Sequence, residues 1–182
     1  MRVRFDIMSE DLRLIEPSTE FLVSYYEACK ETWGFVHNDY IIHNPDLYEQ
    51  WKDCIFDDYR KQKAGIDLPK GYVPSQTFWI VSEKKYIGTV NVRLQLTDEL
   101  ADYGGNIGIV IRKSERRKGY AANALKLAIK TAREMKICPI LMTCTAENES
   151  SLRLLSSVGC NKSETAETFA DGVFCKVYRF FF

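Results

Sequence analysis

Histidine is nearly absent from this chain: among 182 residues only His37 and His43 occur. No suitably spaced third ligand accompanies them, so the sequence offers no zinc site and no metal is expected. Cysteine is sparse as well. Cys29, Cys54, Cys138, Cys144, Cys160 and Cys175 form no C-x-x-C pair. That excludes a disulfide scaffold and points to reduced, mostly buried thiols. Neither sign of charge dominates, since 25 basic residues balance 25 acidic ones. General nucleic-acid binders are basic, so nucleic acid is not an expected partner. No apolar run approaches a membrane span. Met1 to Glu10 carries basic residues but no apolar signal core, which leaves a cytoplasmic location as the expectation.

What is present reads as one domain over residues 1–182, long enough for a sizeable core. Leu12 to Ile15 predicts a first strand. Ser18 or Thr19 caps a helix reaching about Trp33, with Phe21, Leu22, Tyr25, Tyr26 and Cys29 at helical spacing. Asn44-Pro45-Asp46 opens a second helix, its stripe being Leu47, Trp51, Cys54, Ile55 and Tyr59. Glycines and prolines make Lys61 to Ser75 a loop. Thr77 to Ser82 and Tyr86 to Leu96 are strands, and Thr97 to Tyr103 holds a short helical turn. Pro139 to Thr145 is apolar on both faces and reads as a central strand. Ser150 to Ser157 is a helix with Asn148 as its cap. Glu164 to Phe182 forms two strands around the hairpin signal Asp171-Gly172. The apolar ending, Tyr178 to Phe182, either completes a buried strand or joins a dimer.

Gly105 to Ala132 organises the rest. Ile107 to Ile111 is a short β-branched strand, Arg112 to Lys118 a charged turn, and residues 118–135 a helix built on Ala121, Leu125, Ala128, Ile129 and Ala132. A strand turning sharply into a helix leaves the first helical N–H groups unpaired, and such groups bind anions. Gly119 permits close backbone approach. Arg116, Arg117 and Lys118 add positive charge there. A phosphate or pyrophosphate site and a plain solvated turn both fit this pattern. The spacing matches neither the P-loop nor the dinucleotide fingerprint.

The run Arg116-Arg117-Lys118-Gly119-Tyr120-Ala121 resembles motif A of the GNAT superfamily of acetyl-CoA-dependent N-acetyltransferases, Arg/Gln-x-x-Gly-x-Gly/Ala. Asn148-Glu149-Ser150-Ser151, a leucine-rich helix and Gly159 resemble that superfamily's second signature, with Cys160 where Phe is usual. Gly104-Gly105-Asn106-Ile107-Gly108 is similar to the Gly-Gly-His-Ile-Gly strand of one predicted-acetyltransferase branch. The resemblance covers roughly the C-terminal two thirds and is weak before Thr77. It implies an α/β (α+β) GNAT fold: a mixed, mainly antiparallel central sheet of about seven strands with helices on both faces.

The resemblance also implies chemistry. Acetyl-CoA is the cosubstrate and a primary amine, on a small molecule or a protein N-terminus, attacks its thioester directly. The backbone of Arg117, Lys118, Gly119, Tyr120 and Ala121 surrounds the pyrophosphate, while the Arg116 side chain supports that loop. Ile109, Val110 and Ile111 pair with the pantetheine arm and Asn148 holds it from the other side. Asn148 is equally a helix cap, and Ser151 is either a ligand or a packing residue. Two departures weaken the catalytic assignment. Leu155 stands where many members carry a tyrosine acid, and Asn106 stands where this branch carries histidine; an amide takes no proton at neutral pH. Asn106 and Arg93 are therefore the catalytic candidates in an orienting sense. Glu99, Asp102 and Tyr103 are acceptor-side candidates for which solvated loop roles serve as well. The aromatics Trp33, Phe35, Tyr40, Tyr48 and Trp51 fit a core better than a substrate cage. Two other functions fit the same features: a non-catalytic acyl-CoA-binding regulator, and an anion-binding module for a nucleotide or RNA phosphate. A monomer and a homodimer are both compatible with the sequence.

Overall fold

The computed structural model describes residues 11–32, 43–159, 164–170 and 173–182. Four strands form one sheet in chain order: β1 (Arg13–Ile15), β2 (Ser75–Ser82), β3 (Lys85–Arg93) and β4 (Ile107–Ile111). A second sheet contains β5 (Leu141–Thr145), β6 (Glu164–Ala170) and β7 (Val173–Phe181), with β7 in the middle. Each strand pairing described is antiparallel. The two sheets meet at one isolated bridge, Gly105 to Met142. Gly105 has φ +67°, and a Cβ there would collide with the backbone of Leu141 and Met142. Only glycine permits that approach.

Alternation along β2 sorts the core into two clusters. Phe78 and Ile80 face the first; Trp79 and Val81 face the second. The first is largely aliphatic and takes its helix from α5 (Tyr120–Glu134), whose Ala124, Leu125, Ala128, Ile129 and Ala132 are all buried. Three alanines in that stripe let the helix lie close on the sheet, against Ile87, Val90, Val92 and Ile107. The second cluster is aromatic. It joins Phe21 and Tyr25, at the start and within the first turn of α1 (Leu22–Thr32), to Trp51, Tyr59, Trp79 and Tyr86. Tyr25 stacks on Trp79 at 4.7 Å and meets Tyr86 edge-on at 5.1 Å. Such pairs add about 0.5–1.5 kcal/mol beyond burial.

Several expectations change. The single helix after Asn44 is three pieces: a 3-10 turn at Pro45–Leu47, α2 (Tyr48–Trp51) and α3 (Ile55–Ala64). The Asn44 side chain accepts from Asp46 N–H, and the Trp51 indole N–H donates back to the Asn44 carbonyl at 2.7 Å. That fold-back breaks the helical period, so Leu47 and Cys54 are exposed rather than in the stripe. Helix α3 extends into the expected loop until Gly65, at φ +73°, ends it; Ile66 N–H then reaches the Lys61 carbonyl. Strand β3 stops at Arg93: Leu94 N–H still reaches the Pro74 carbonyl, but Pro74 has no N–H to return. Helix α5 begins at Tyr120 rather than Lys118, since Arg117 and Gly119 are both left-handed. Strand β5 ends the ladder of the three-stranded sheet, but the Gly105–Met142 bridge sets its start beside β4, so it lies between the two sheets, with Leu141, Met142 and Cys144 buried. Cys29 and Cys144 are buried, but Cys54 and Cys138 are exposed. Phe180 is buried, and Phe182 pairs its backbone with Ile140, so the ending completes a strand in the core. Trp33, Phe35, His37, Tyr40, Cys160 and the Asp171-Gly172 turn lie outside the described residues. No described helix is long and apolar enough to cross a membrane.

Candidate functional site

β4 and β5 touch only at their beginnings. Asn106 N–H donates to the Leu141 carbonyl at 2.6 Å, and beyond that point no β4–β5 ladder continues. The backbone of β4 consequently has one open edge. Arg112 N–H donates to Ile87 O, and Val110 pairs with Thr89, so in the antiparallel ladder Gly108, Val110 and Arg112 turn their N–H and C=O toward β3. By alternation Ile109 and Ile111 turn theirs to the open edge. The Ile111 carbonyl there accepts from Arg116 Nε at 3.1 Å. Val110 therefore differs from its expected role: its backbone belongs to the sheet.

A groove of about 570 Å³ opens between this edge, the start of α5 and α6 (Glu149–Ser157). Ile109, Val110, Ile111, Arg116, Arg117, Gly119, Tyr120, Ala121, Asn148 and Ser151 all line it. Lys118 alone of the expected set is not among the lining residues; its ammonium is held by Glu115 at 2.9 Å. Helix α5 starts at Gly119 with no side-chain cap. Its first N–H groups thus point out of the helix end with no intrahelical carbonyl to take them. Left-handed residues at Arg117 (φ 66°) and Gly119 (φ 85°) curve the loop in the way that makes backbone anion sites. A Cβ built on Gly119 would meet no protein atom within 4 Å, so the space over it is open. The helix dipole and the exposed Arg116 and Arg117 make this end of the groove electropositive. Tyr120 packs partly against the aliphatic core and forms a wall.

Asn148 holds both its expected position and its bland role. It caps α6, accepting from Ser151 N–H at 3.0 Å, while it lines the groove. Leu155 is 1% exposed in the aliphatic core, so the chain puts no proton donor at that position.

Asn106 and Arg93, the catalytic candidates, both bond to backbone where the strands meet. Asn106 is 5% exposed; its Oδ1 accepts from Leu141 N–H at 2.8 Å and its Nδ2 donates to the Arg93 carbonyl at 3.3 Å. The Arg93 guanidinium donates to the Gly105 and Gly104 carbonyls at 2.9 and 3.3 Å. Together they clasp the ends of β3, β4 and β5. Asp102 pairs with Arg179, and Glu99 is exposed in the first turn of α4 (Asp98–Asp102), its carboxyl held low by hydrogen bonds from its own N–H and Thr97.

Two carboxylates that the sequence did not single out tie the groove to its surroundings. Glu31, on α1, accepts from Arg112 Nε and Nη2 at 2.8 and 2.6 Å and from Ser114 N–H. Burial alone would raise its pKa, but Arg112 and Ser114 outweigh that and hold it at about 2. Glu115 is 3% exposed between Lys85 and Lys118; burial opposes its charge, and the two ammonium groups keep its carboxyl lowered nonetheless. The signal available in the sequence was an acidic residue inside an otherwise basic turn.

The acetyltransferase (GNAT) domain family matches residues 25–161 of the chain. No curated protein sequence matches it. Among solved structures, it is similar to RimL, a ribosomal L7/L12 α-N-protein acetyltransferase in complex with coenzyme A, at TM-score 0.63 and 13% identity, covering 94% of this chain and 93% of that one. The microcin C7 self-immunity acetyltransferase MccE, in complex with acetyl-CoA and AMP, gives TM-score 0.61 and 15% identity over 93% and 92% of the two chains. The spermidine/spermine N-acetyltransferase SpeG from Vibrio cholerae gives TM-score 0.57 and 16% identity over 96% and 94%.

Proposed function

The chain belongs to the GNAT acetyltransferase family, and from that premise we propose that it moves an acetyl group from acetyl-CoA to a primary amine, on a small molecule or a protein N-terminus, by direct attack in a ternary complex. The observation that carries this reading is the uncapped start of α5 opening on the groove over Gly119. Its N–H groups and those of the loop from Arg117 suit a pyrophosphate, while Arg116 braces the loop through the Ile111 carbonyl. Structural neighbours with bound acetyl-CoA or coenzyme A support the same ligand.

Acetyl-CoA, when bound, supplies an acyl carbon activated by a thiolate leaving group. The open-edge N–H groups of Ile109 and Ile111 would orient the pantetheine arm, and that of Ile109 would donate to the carbonyl oxygen as charge develops. Asn148 borders the arm from α6. Leu155 offers no acid, so the thiolate departs without a proton from that position, which its modest basicity permits. Asn106 and Arg93 act as positioning residues that hold the strands where they part. A cytoplasmic protein needing no metal, nucleic acid or membrane fits this chemistry, as a monomer or homodimer. Leu155 also favours a second reading, a non-catalytic acyl-CoA-binding regulator; amine-dependent thiol release separates the two.

The test is thermal unfolding with acetyl-CoA and with ATP as control anion. At about a hundred times its dissociation constant, acetyl-CoA adds roughly 2.7 kcal/mol, or about 5–10 °C for a chain of this size. The Cβ of Gly119→Val would meet no protein atom within 4 Å, its left-handed backbone lowers the unliganded midpoint, and its side chain fills the anion's place, so the shift measured from the variant's own midpoint vanishes. An undiminished shift in Gly119→Val, or equal shifts with ATP, overturns the assignment.

A further inference from the structure

A second, smaller cavity of about 140 Å³ lies on the aromatic face of the sheet, floored by β2, β3 and α3. Its floor is polar where the rest of that face is aromatic. Gln62, Ser75, Asn91 and Arg93 line it at 7%, 3%, 3% and 6% exposure, with Lys70 and Tyr72 at the mouth. The antiparallel register brings them together: Thr77 faces Asn91 and Ser75 faces Arg93.

The hydrogen bonds in the floor run in one direction. Asn91 Nδ2 donates to both Ser75 Oγ and Thr77 Oγ1 at 3.1 Å, and Thr77 Oγ1 donates on to Gln62 Oε1 at 3.1 Å. Turning both amides over together would keep these bonds with donors and acceptors exchanged, so the chain requires that one amide leave an acceptor and the other a donor for the cavity. In the orientation seen, it consumes the NH₂ of Asn91 and the carbonyl of Gln62. The opposite halves, Asn91 Oδ1 and Gln62 Nε2, have no hydrogen-bond partner among the described residues, nor are they among its sealed unpaired polar atoms. Buried polar groups in native proteins are almost always satisfied. These two are left for whatever enters the cavity. One acceptor and one NH₂ donor side by side match a neutral amide, whose N–H and C=O they would take together.

Place ties the cavity to the groove. Asn91 pairs with Gly108, and Arg93 N–H donates to Asn106 O, so the floor lies one strand spacing, about 4.8 Å, from the first residues of β4. β4 and β5 part there. The α-amine of a peptide lies a few ångströms from its first amide, which suits that separation. Among the described residues, no carboxylate lines the cavity to receive a polycation.

Resting on the acetyltransferase reading, we propose that this cavity is the acceptor-recognition pocket and that it reads an amide group beside the reactive amine. The acceptor class is a peptide N-terminus or an amino-acid amide, in preference to an alkylamine or polyamine.

The test compares alanyl-alanine amide with n-propylamine and spermidine, by acetyl-CoA-dependent thiol release and by NMR of the Gln62 and Asn91 side-chain amides. Gln62→Glu keeps the acceptor for Thr77 and replaces the donor with an oxygen; Gln62→Met is the second, uncharged variant. The dipeptide amide should move the Gln62 signals saturably, and propylamine should not. In both variants kcat/KM for the dipeptide amide should fall about tenfold, the worth of one neutral hydrogen bond, with KM for acetyl-CoA unchanged. Gln62 signals unmoved by the dipeptide amide, or kcat/KM for it equal to that for propylamine, overturns the pocket while turnover upholds the enzyme. No thiol release with any amine overturns the transferase reading instead, and the NMR titration then still decides whether the cavity takes an amide.

Discussion

Replacing Asn106 by alanine separates a positioning role from a reacting one. In the folded chain the Asn106 amide joins two strands that share no ladder: Oδ1 holds Leu141 N–H and Nδ2 holds the Arg93 carbonyl. Asn106→Ala strands the Leu141 donor in a buried site, which costs about 1–3 kcal/mol. The Arg93 carbonyl loses a longer bond of 3.3 Å and contributes less. The sum is roughly 2–4 kcal/mol, which lowers the midpoint of thermal unfolding by about 4–16 °C. Because the bond to Leu141 sits where the groove begins, kcat and acetyl-CoA affinity should decline together and moderately as the two strands loosen. The assay is urea unfolding followed by circular dichroism, beside steady-state kinetics with both substrates varied. A variant as stable as the parent to within about 0.5 kcal/mol, with kcat alone reduced by orders of magnitude, would refute the reasoning and return Asn106 to the reacting centre.

Two acid-linked predictions follow. His43 hydrogen-bonds Tyr25 Oη at 2.9 Å, and burial pushes its pKa down from 6.5 to about 4. The unfolded chain therefore binds a proton that the folded chain refuses, so stability falls as pH drops from about 6.5 to 4, by roughly 3 kcal/mol, and His43→Gln flattens that part of the urea-midpoint profile. Glu31 shifts in the same direction for a different reason, Arg112 and Ser114 favouring its charged form: its folded pKa of about 2 lies below the ordinary 4.5, so its contribution is whole above 4.5 and is lost as pH falls toward 2. Glu31→Gln should remove that acid limb while leaving the His43 limb in place, measured on the same profile.

The groove was legible before the fold because its elements are local. Gly119, the cations before it and the alanine-rich period after it all act within a turn or two, and Asn148 caps the helix that follows it directly. What escaped was made by distant partners. Trp51 breaks its own helix by reaching back to the Asn44 carbonyl, and no periodicity carries that information. The open edge at Ile109 and Ile111, and the engaged backbone of Val110, depend on which residues of β4 face β3, a matter of register. Asn106 and Arg93 were catalytic candidates through the family resemblance, and the backbone groups they hold, at Leu141, Gly104 and Gly105, lie at positions no local pattern connects to them. The cavity at Gln62 escaped for the same reason, although polar residues at Ser75, Thr77 and Asn91, alternating with Phe78, Val90 and Val92, were a usable sign.

The partition of the core into an aliphatic half and an aromatic half has an optical consequence. Trp51 and Trp79, two of the chain's three tryptophans, both lie in the aromatic cluster with α1 and α3, and neither belongs to the cluster beneath α5. Two of the three tryptophan emitters thus watch the aromatic side of the sheet, whereas far-ultraviolet dichroism weighs α5, the longest helix described, heavily. Superimposable transitions from the two probes would show one cooperative unit; a dichroism loss preceding the emission change would show the half beneath α5 loosening by itself.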